Sequence, residues 1–252
     1  MSDLSQRTVR GGVTAILLLA AWEAAVRGFD LPSYMLPAPS RVAQVLIERA
    51  DFLFYQAGIT AYETGLGLVF GVVSGVVLAL MLSVLPIAQR YLLPVVVVSQ
   101  ALPVFAIAPL LLLWFGFGLA SKIVMASLII FFPVTSAFYD GLRRTHPDLL
   151  DYAHMVHATP WQTLMMIRVP AALPALGSGL RVAAVFAPIG AIVGEWVGSS
   201  KGLGFVMLQA NARAQADVVF AALVLLAVMA LLLRTIVDRT TRAMTPWQSE
   251  TD

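Results

Sequence analysis

Long apolar runs recur throughout this 252-residue chain, and each has about the length that crosses a lipid bilayer as a helix. A helix needs about 20 mostly apolar residues to span the hydrocarbon core. Six stretches meet or nearly meet this requirement: 11–26, 64–85, 92–115, 122–139, 173–194 and 218–237. The pattern predicts an all-α integral membrane protein with six transmembrane helices, in which residues 1–252 form a single transmembrane domain.

The composition supports a membrane location. Hydrophobic residues make up 60% of the chain and charged residues only 12%, whereas soluble domains have about 45–50% and about 25%. The apolar excess has to face lipid, because one core cannot bury it. A net charge of +2 does not indicate a nucleic-acid partner. The absence of cysteine excludes disulfides and thiol catalysis.

The N-terminus has the charge pattern of a secretory signal, since Arg7 and Arg10 precede the apolar run 11–26. However, Glu23 interrupts the run, and further apolar stretches follow. We therefore interpret the run as an uncleaved first transmembrane helix.

The distribution of Arg and Lys favours cytoplasmic termini in a bacterial inner membrane, because positive residues accumulate in cytoplasmic loops. With six spans and the N-terminus inside, nine positive residues fall on the cytoplasmic side and six on the outer side. The nine are Arg7, Arg10, Arg90, Arg143, Arg144, Arg168, Arg234, Arg239 and Arg242, and the six are Arg27, Arg41, Arg49, Lys122, Lys201 and Arg213.

The first loop contains an amphipathic segment at about 39–57. Ser40 is a suitable N-cap, and Val42, Val45 and Leu46 share one helical face. Two placements fit this pattern: a helix lying on the outer membrane surface, or a short helix packed against the bundle.

The loop at about 141–172, on the expected cytoplasmic side, is polar, helix-compatible and too long to be a simple connector. It is also too short for a separate domain. The segment is therefore expected to be a docking element for another protein.

Glycines and prolines mark where the predicted helices pack or break. Gly67, Gly71 and Gly75 recur every four residues, as do Gly190, Gly194 and Gly198. Small residues at this spacing allow close helix packing, most commonly within one chain. The third span contains Pro94, Pro103 and Pro109 and is expected to be kinked or broken.

A motif in the 141–172 loop resembles that of a transporter family. The sequence reads Asp151-Tyr152-Ala153, three residues, His157, nine residues, then Ile167-Arg168-Val169-Pro170. This resembles the E-A-A-x3-G-x9-I-x-L-P motif of binding-protein-dependent ABC importer permeases. The spacing matches throughout, but four residue types differ, including His157 at the glycine position. If the turn there requires a positive φ, His is less favourable than Gly.

Other motifs resemble the branch of that family that includes sulfonate, taurine, nitrate and thiamine-precursor permeases. They are Leu36-Pro37-Ala38-Pro39-Ser40-Arg41-Val42, Pro103 to Leu110, Trp114 to Gly118, Pro170 to Pro174, Gly194-Glu195-Trp196 and Gly202-Leu203-Gly204. Within the branch, permeases for the pyrimidine precursor of thiamine are most similar at Pro188 to Ala191, Gly194 to Ser200 and Asn211-Ala212-Arg213. The resemblance covers nearly the whole chain.

The resemblance implies a type I ABC importer permease with a cytoplasmic coupling helix, working as a homodimer with an ABC ATPase dimer and an external solute-binding protein. No G-x-x-x-x-G-K-[ST] sequence occurs. The chain is therefore not expected to be an enzyme or to bind a cofactor, and ATP and Mg²⁺ would be held by the partner ATPase. The residues expected to contact the ATPase are Leu149, Leu150, Asp151, Ala153, His157, Ala158 and Thr159.

Several alternatives stay open. Pro103, Phe105, Pro109, Glu195 and Trp196 are candidates for lining the pathway, although Glu195 and Trp196 also suit a membrane-interface anchor. His154 and His157, three residues apart, could form a metal-ligand pair, but no closed ligand set appears and no metal site is predicted. The resemblance implies the pyrimidine precursor of thiamine as the favoured substrate, with a sulfonate, taurine or nitrate as alternatives. An ion-coupled secondary transporter is a weaker alternative, because few ionisable residues lie within the spans. An intramembrane enzyme is also weaker, because the three histidines cluster in one loop and no serine–histidine pair converges in the sequence.

Overall fold

The computed structural model describes residues 2–99 and 103–247, with side chains described at residue 10 and from residue 12 onward. All the regular structure in these ranges is helical. The helices are α1 Ser2–Gly28, α2 Pro39–Glu48, α3 Ala50–Val84, α4 Pro86–Ser99, α5 Val104–Phe115, α6 Leu119–Arg143, α7 Pro147–Met155, α8 Pro160–Thr163, α9 Val169–Gly198, α10 Leu203–Ala212 and α11 Ala216–Met244. A five-residue π-turn, Leu164–Arg168, joins α8 to α9.

Four helical stretches in the described ranges are long and apolar enough to cross a membrane: α3, α6, the continuous run Pro160–Gly198, and α11. The α4–α5 pair makes a fifth if it is counted as one broken span. In the most apolar windows of α3 and α11, only 28% and 22% of the residues are buried. Most of the apolar surface of these two helices is therefore not covered by the rest of the described chain. The first predicted span lies within α1, where the side chains of residues 2–9 and 11 fall outside the description.

The third predicted span is broken, as its prolines indicated. Its two halves, α4 and α5, differ in direction by 106°. Pro103 is the N-cap of α5, and Pro94 and Pro109 lie inside the two helices. Residues 100–102, between the halves, lie outside the described part of the chain.

Helix α6 lies between α3 and α9, and both glycine stripes pack against it. A Cβ atom built at Gly71 would lie 2.8 Å from the Cβ atom of Ile130, and one at Gly190 would lie 2.7 Å from the Cα atom of Ala126. At the other positions, Gly67 faces Ala126, Gly75 faces Val134, Gly194 faces Lys122, and Gly198 faces Leu112 of α5. The predicted close packing within the chain is confirmed.

The contacts fix the helix directions. Gly67 and Gly75 of α3 face Ala126 and Val134 of α6, so these helices are parallel. Lys122, at the start of α6, lies against Gly194, near the end of α9, so α9 is antiparallel to both. The bundle therefore has an α7 end, where α6 leads into α7 and α9 begins, and an α10 end, where α9 leads into α10.

The amphipathic segment packs on the bundle and does not extend as one helix to residue 57. Val42 and Val45 of α2 are buried against a cluster that includes Leu53, Val206 and Val218. The structure thus favours the second of the two placements. Helix α2 ends at Glu48 and the long helix α3 begins at Ala50, so residues 50–57 form the start of α3.

Arg181, which falls within the fifth predicted span 173–194, has an acidic partner. Arg181 of α9 donates a hydrogen bond from Nε to Oδ1 of Asp238 on α11, at 2.8 Å. Arg242, one turn further along α11, also pairs with Asp238 at 3.0 Å. Charged groups at membrane depth are generally paired in this way, so Arg181 ties α9 to α11.

Candidate functional site

Helix α7 lies at one end of the bundle. In chain order it lies between α6 and α9, the two helices that pack most extensively against each other. It begins as a separate nine-residue helix at Pro147, because a proline in the first turn lacks only an N–H that would have no partner within the helix. The negative charge of Asp148 in the same turn interacts favourably with the positive end of the helix dipole. Ala153 is fully buried, whereas most of the other α7 side chains face outward. Ala153 thus packs against the bundle, while most of the rest of α7 is exposed.

The end of α7 is a Schellman motif with His157 at the left-handed position. His157 has φ 54°. Its N–H donates to the carbonyl of His154 at 3.0 Å, and the N–H of Ala158 donates to the carbonyl of Ala153 at 2.9 Å. These are the two bonds that define the motif. The position where the family motif has glycine therefore does adopt a positive φ in this chain.

A capping box starts the next helix immediately afterwards. The Oγ1 atom of Thr159 accepts from the N–H of Gln162, and Oε1 of Gln162 accepts from the N–H of Thr159 at 2.8 Å. Pro160 follows at the first helical position. With both helix ends capped, the turn between α7 and α8 has a fixed path.

The predicted contact residues are brought together at this end, with apolar neighbours that the sequence did not single out. Of the predicted set, Leu149, Asp151, His157 and Thr159 are exposed, Leu150 and Ala158 are partly buried, and Ala153 is buried. The additional exposed side chains are Tyr152, Met155, Val156, Trp161 and Met166, each more than half exposed. We call these exposed residues together the α7 face. Exposed apolar side chains in this number at one end of a bundle are typical of a protein contact.

The histidine-rich stretch does not gather metal ligands. His154 lies within α7, whereas His157 lies beyond its end, so the two do not share a helical face. His146 pairs through Nδ1 with Asp148 at 3.3 Å. Across the described residues, no group of three or more His, Cys, Asp or Glu side chains could hold a metal ion.

At the α10 end, side chains from α3 and α9 satisfy the first backbone donors of α10. The N–H of Gly202 donates to Oε1 of Gln56 at 2.7 Å, and the N–H of Leu203 donates to Oγ1 of Thr60 at 2.8 Å. The N–H of Gly204 donates to Oε2 of Glu195 at 2.5 Å. Helix starts leave such donors without partners in the helix itself. These bonds therefore join α3, α9 and α10.

Glu195 is the central acceptor of this arrangement. It is fully buried, and its Oε1 atom accepts a hydrogen bond from the Thr60 hydroxyl at 2.6 Å. Glu195 is not among the residues that line the neighbouring pocket formed around Glu63 and Lys122. The structure thus gives Glu195 a bracing role for α10 that was not among the predicted alternatives.

A buried ion pair lies beside this brace and lines a pocket of about 560 Å³. Nζ of Lys122 lies 2.5 Å from Oε1 of Glu63, and it also donates to Oγ of Ser199 at 2.7 Å. Oε2 of Glu63 is buried and has no hydrogen-bond partner. The other walls of the pocket include Phe117, Trp196, Ser200 and Lys201.

The predicted pathway residues lie on two different helices. Pro103, Phe105 and Pro109 lie on an exposed side of α5 and its start, while Ala108 and Leu111 on the same helix pack towards Val193 and Val197 of α9. Trp196 lines the pocket, and the other four do not. The five residues are therefore not gathered at one site.

Glu63 and Lys122 are the polar residues that sequence reasoning missed. Glu63 directly precedes the second predicted span, 64–85, and Lys122 begins the fourth, 122–139, so neither was considered as part of a site. The sequence feature that could have identified them is that each is an isolated charge next to a long apolar run. An ionisable residue in such a place is a candidate functional group. The residue that pairs with each charge depends on how α3 and α6 pack together.

Curated proteins of similar sequence are transport permeases. The chain is 50% identical over 222 residues to a probable ABC transporter permease of Haemophilus influenzae, covering 88% of this chain and 91% of the relative. It is 32% identical over 236 residues to the formylaminopyrimidine transport permease ThiX of Halalkalibacterium halodurans, covering 93% and 94%. It is 33% identical over 239 residues to the riboflavin permease RibX of Chloroflexus aurantiacus, covering 94% and 89%.

The fold is shared with solved transporter structures. The inward-facing MetNI methionine ABC transporter superposes with a TM-score of 0.68 at 24% identity, covering 79% of this chain and 98% of that chain. The predicted type I importer permease fold is thereby confirmed. Residues 67–249 match the model of the binding-protein-dependent transport system inner membrane component. This chain is therefore a member of that family, a multi-pass inner-membrane permease subunit of ABC importers.

Proposed function

We propose that a separate ATPase drives this importer permease through the α7 face, and that the imported solute is a pyrimidine precursor of thiamine. The observation that carries the coupling site is the geometry of α7. Its apolar and acidic side chains are exposed at a bundle end, while Ala153 fixes it to the core and both flanking helix ends are capped. A compact, firmly held helix can transmit the closing motion of an ATPase pair as a rigid-body displacement.

The α7 end is assigned to the cytoplasm, together with both termini. The predicted excess of Arg and Lys on that side supports this orientation. The α10 end then faces outward, towards a periplasmic or extracellular solute-binding protein. ATP and Mg²⁺ would be held by the ATPase, because this chain has no P-loop sequence.

A homodimer of the permease accounts for the stoichiometry. One chain carries one coupling segment, and the ATPases work as a pair. The large exposed apolar area of α3 and α11 is available for a second protomer and for lipid. The two protomers of such a dimer would enclose the transport pathway between them.

The substrate proposal rests on sequence similarity across nearly the whole chain. The relatives named for formylaminopyrimidine and riboflavin are 32% and 33% identical. The aliphatic sulfonate permease of Bacillus subtilis is 28% identical. The two more similar relatives are thus named for compounds that contain a pyrimidine ring, which favours a pyrimidine over a sulfonate.

The coupling site can be tested by co-purification. The tagged permease is extracted from its native membrane in mild detergent, and the retained ATPase is measured by mass spectrometry. Asp151→Lys should lose the ATPase, because it reverses a charge on the α7 face. Asp51→Lys is the matched control, since it makes the same change on an exposed residue at the start of α3. Retention of the ATPase and of ATP-dependent uptake by Asp151→Lys would overturn the proposed coupling site.

The substrate is tested with the intact transporter in proteoliposomes, supplied with its binding protein. Uptake of labelled formylaminopyrimidine, riboflavin and taurine is compared with and without ATP. Uptake of formylaminopyrimidine alone supports the proposal. Uptake of riboflavin or taurine without formylaminopyrimidine would contradict the proposed substrate while leaving the coupling site intact.

A further inference from the structure

We propose that the pocket at the α10 end is a binding site for the imported solute, and that it accepts a planar nitrogen heterocycle with a hydrogen-bond donor beside an acceptor. This inference rests on the proposed function, because it assigns a site to the proposed pyrimidine. It places a recognition step in the permease itself, in addition to that of the binding protein.

An unused acceptor in the pocket lining calls for a donor from a ligand. Glu63 is only 3% exposed. Its Oε1 atom is held by Lys122, whereas Oε2 has no partner among the described residues. Leaving a buried carboxylate oxygen without a hydrogen bond is unfavourable. An N–H group entering the pocket would satisfy it.

A donor lies directly beside this acceptor. The ammonium group of Lys122 has three N–H bonds, and the described contacts use two of them, to Glu63 and Ser199. Because Nζ lies 2.5 Å from the Glu63 carboxylate, the remaining N–H and the free oxygen can meet neighbouring atoms of one ligand. An exocyclic amino group next to a ring nitrogen has the required donor–acceptor order.

The walls suit a flat ring. Phe117 is 81% exposed and Trp196 is 41% exposed, and both line the pocket. Aromatic side chains with this freedom can stack on a heterocycle. The volume of about 560 Å³ lies within the range of small-molecule sites.

The same chemistry argues against a sulfonate. A sulfonate group has only acceptor oxygens and carries a negative charge, so an aliphatic sulfonate without an amino group would be repelled by the Glu63 carboxylate and would leave Oε2 without a donor. Lys122 is already neutralised by Glu63, and Lys201 is the other positive residue of the lining. Selection against a sulfonate group therefore rests on the unfilled Glu63 acceptor and not on the net charge of the lining, because Lys201 leaves that charge at +1.

Binding is measured by calorimetry on the permease–ATPase complex in lipid nanodiscs without the binding protein. Formylaminopyrimidine is the probe, and riboflavin and methanesulfonate, a sulfonate without an amino group, are used for comparison. Glu63→Gln should weaken binding by at least about tenfold, because the carboxylate is lost as a charged acceptor. Phe117→Ala, at an exposed position where folding is unaffected, should weaken it by about three- to tenfold through lost stacking. Phe29→Ala, an equally exposed aromatic residue outside the pocket lining, should bind like the wild type.

The outcomes separate the site from the function. Unchanged binding and uptake in both Glu63→Gln and Phe117→Ala would overturn the pocket assignment, even if the wild type imports formylaminopyrimidine. Tighter binding of methanesulfonate than of either heterocycle would also overturn it. In a third outcome, the intact transporter does not import formylaminopyrimidine, but both variants still weaken the binding of another heterocycle that has a donor beside an acceptor. The pocket assignment then stands, and the proposed thiamine precursor is wrong.

Discussion

The carboxyl group of Glu195 occupies the space directly beside the Cα atom of Gly202. A side-chain carbon at Gly202 would overlap that carboxyl group, and Gly202 also has φ 102°. The loop that leads from α9 into α10 thus closes tightly over a buried acid. Both the absence of a side chain and the freedom to adopt a positive φ are required at this position.

Gly202→Ala is expected to lower the free energy of unfolding by more than about 3 kcal/mol, since backbone strain and overlap with Glu195 act together. The measurement is the thermal unfolding midpoint of the detergent-solubilised permease. Gly116→Ala is the control for strain alone, because Gly116 has φ 76° and no atoms within 4 Å of an added Cβ. Equal losses in the two variants would show that the contact with Glu195 is unimportant.

Glu195→Gln is expected to lower the free energy of unfolding by about 1–3 kcal/mol. The amide cannot accept from both Thr60 and the N–H of Gly204, so one buried bond of α10 is lost. The change should also increase hydrogen exchange at the first residues of α10. Exchange that stays at the wild-type level would argue against the bracing role.

His157→Gly is expected to raise the free energy of unfolding by about 1 kcal/mol, because glycine adopts the left-handed conformation of the Schellman position without the steric penalty of a side chain. Chemical denaturation of the purified permease provides the measurement. Met155→Gly, inside α7, is the control and should be destabilising. A loss of stability in His157→Gly would mean that the imidazole itself makes a stabilising contact.

Gly67→Ala and Gly65→Ala should shift stability in opposite directions, although they lie two residues apart in α3. A Cβ at Gly67 would overlap Ala126, whereas one at Gly65 meets nothing within 4 Å. We expect a loss of about 1–3 kcal/mol for Gly67→Ala and a gain of about 0.5–1 kcal/mol for Gly65→Ala. Thermal unfolding of the two proteins side by side tests this. Similar effects in both would contradict the packing of α3 on α6.

Much of the fold follows from the sequence, because lipid imposes strong requirements on it. Apolar length identified α3, α6, α9 and α11, and proline placement predicted the break before Val104. The glycine stripes indicated close packing, but not that α6 would be the shared partner, since a stripe does not specify what covers it. The side on which each stripe packs depends on the whole arrangement of helices.

The candidate sites were less accessible to sequence reasoning. The spacing from Asp151 to Pro170 identified the α7 segment because the whole site lies within one short stretch. The Glu63–Lys122 pair could not be identified in the same way, because its members are 59 residues apart and meet only through the packing of two helices. The role of Glu195 likewise depends on α10 folding back over the end of α9.

The packing of α6 between two glycine stripes also restricts the insertions and deletions that the gene for this protein can tolerate. Each residue added to an α-helix rotates everything beyond it by about 100°. One codon inserted between Gly67 and Gly71 would therefore turn Gly71 and Gly75 away from α6 and bring bulky side chains towards it. A single deletion in α9 would do the same to Gly190 and Gly194. Insertions and deletions compatible with a functional product should thus be confined to the connections and the chain ends, while the three central helices change by substitution alone.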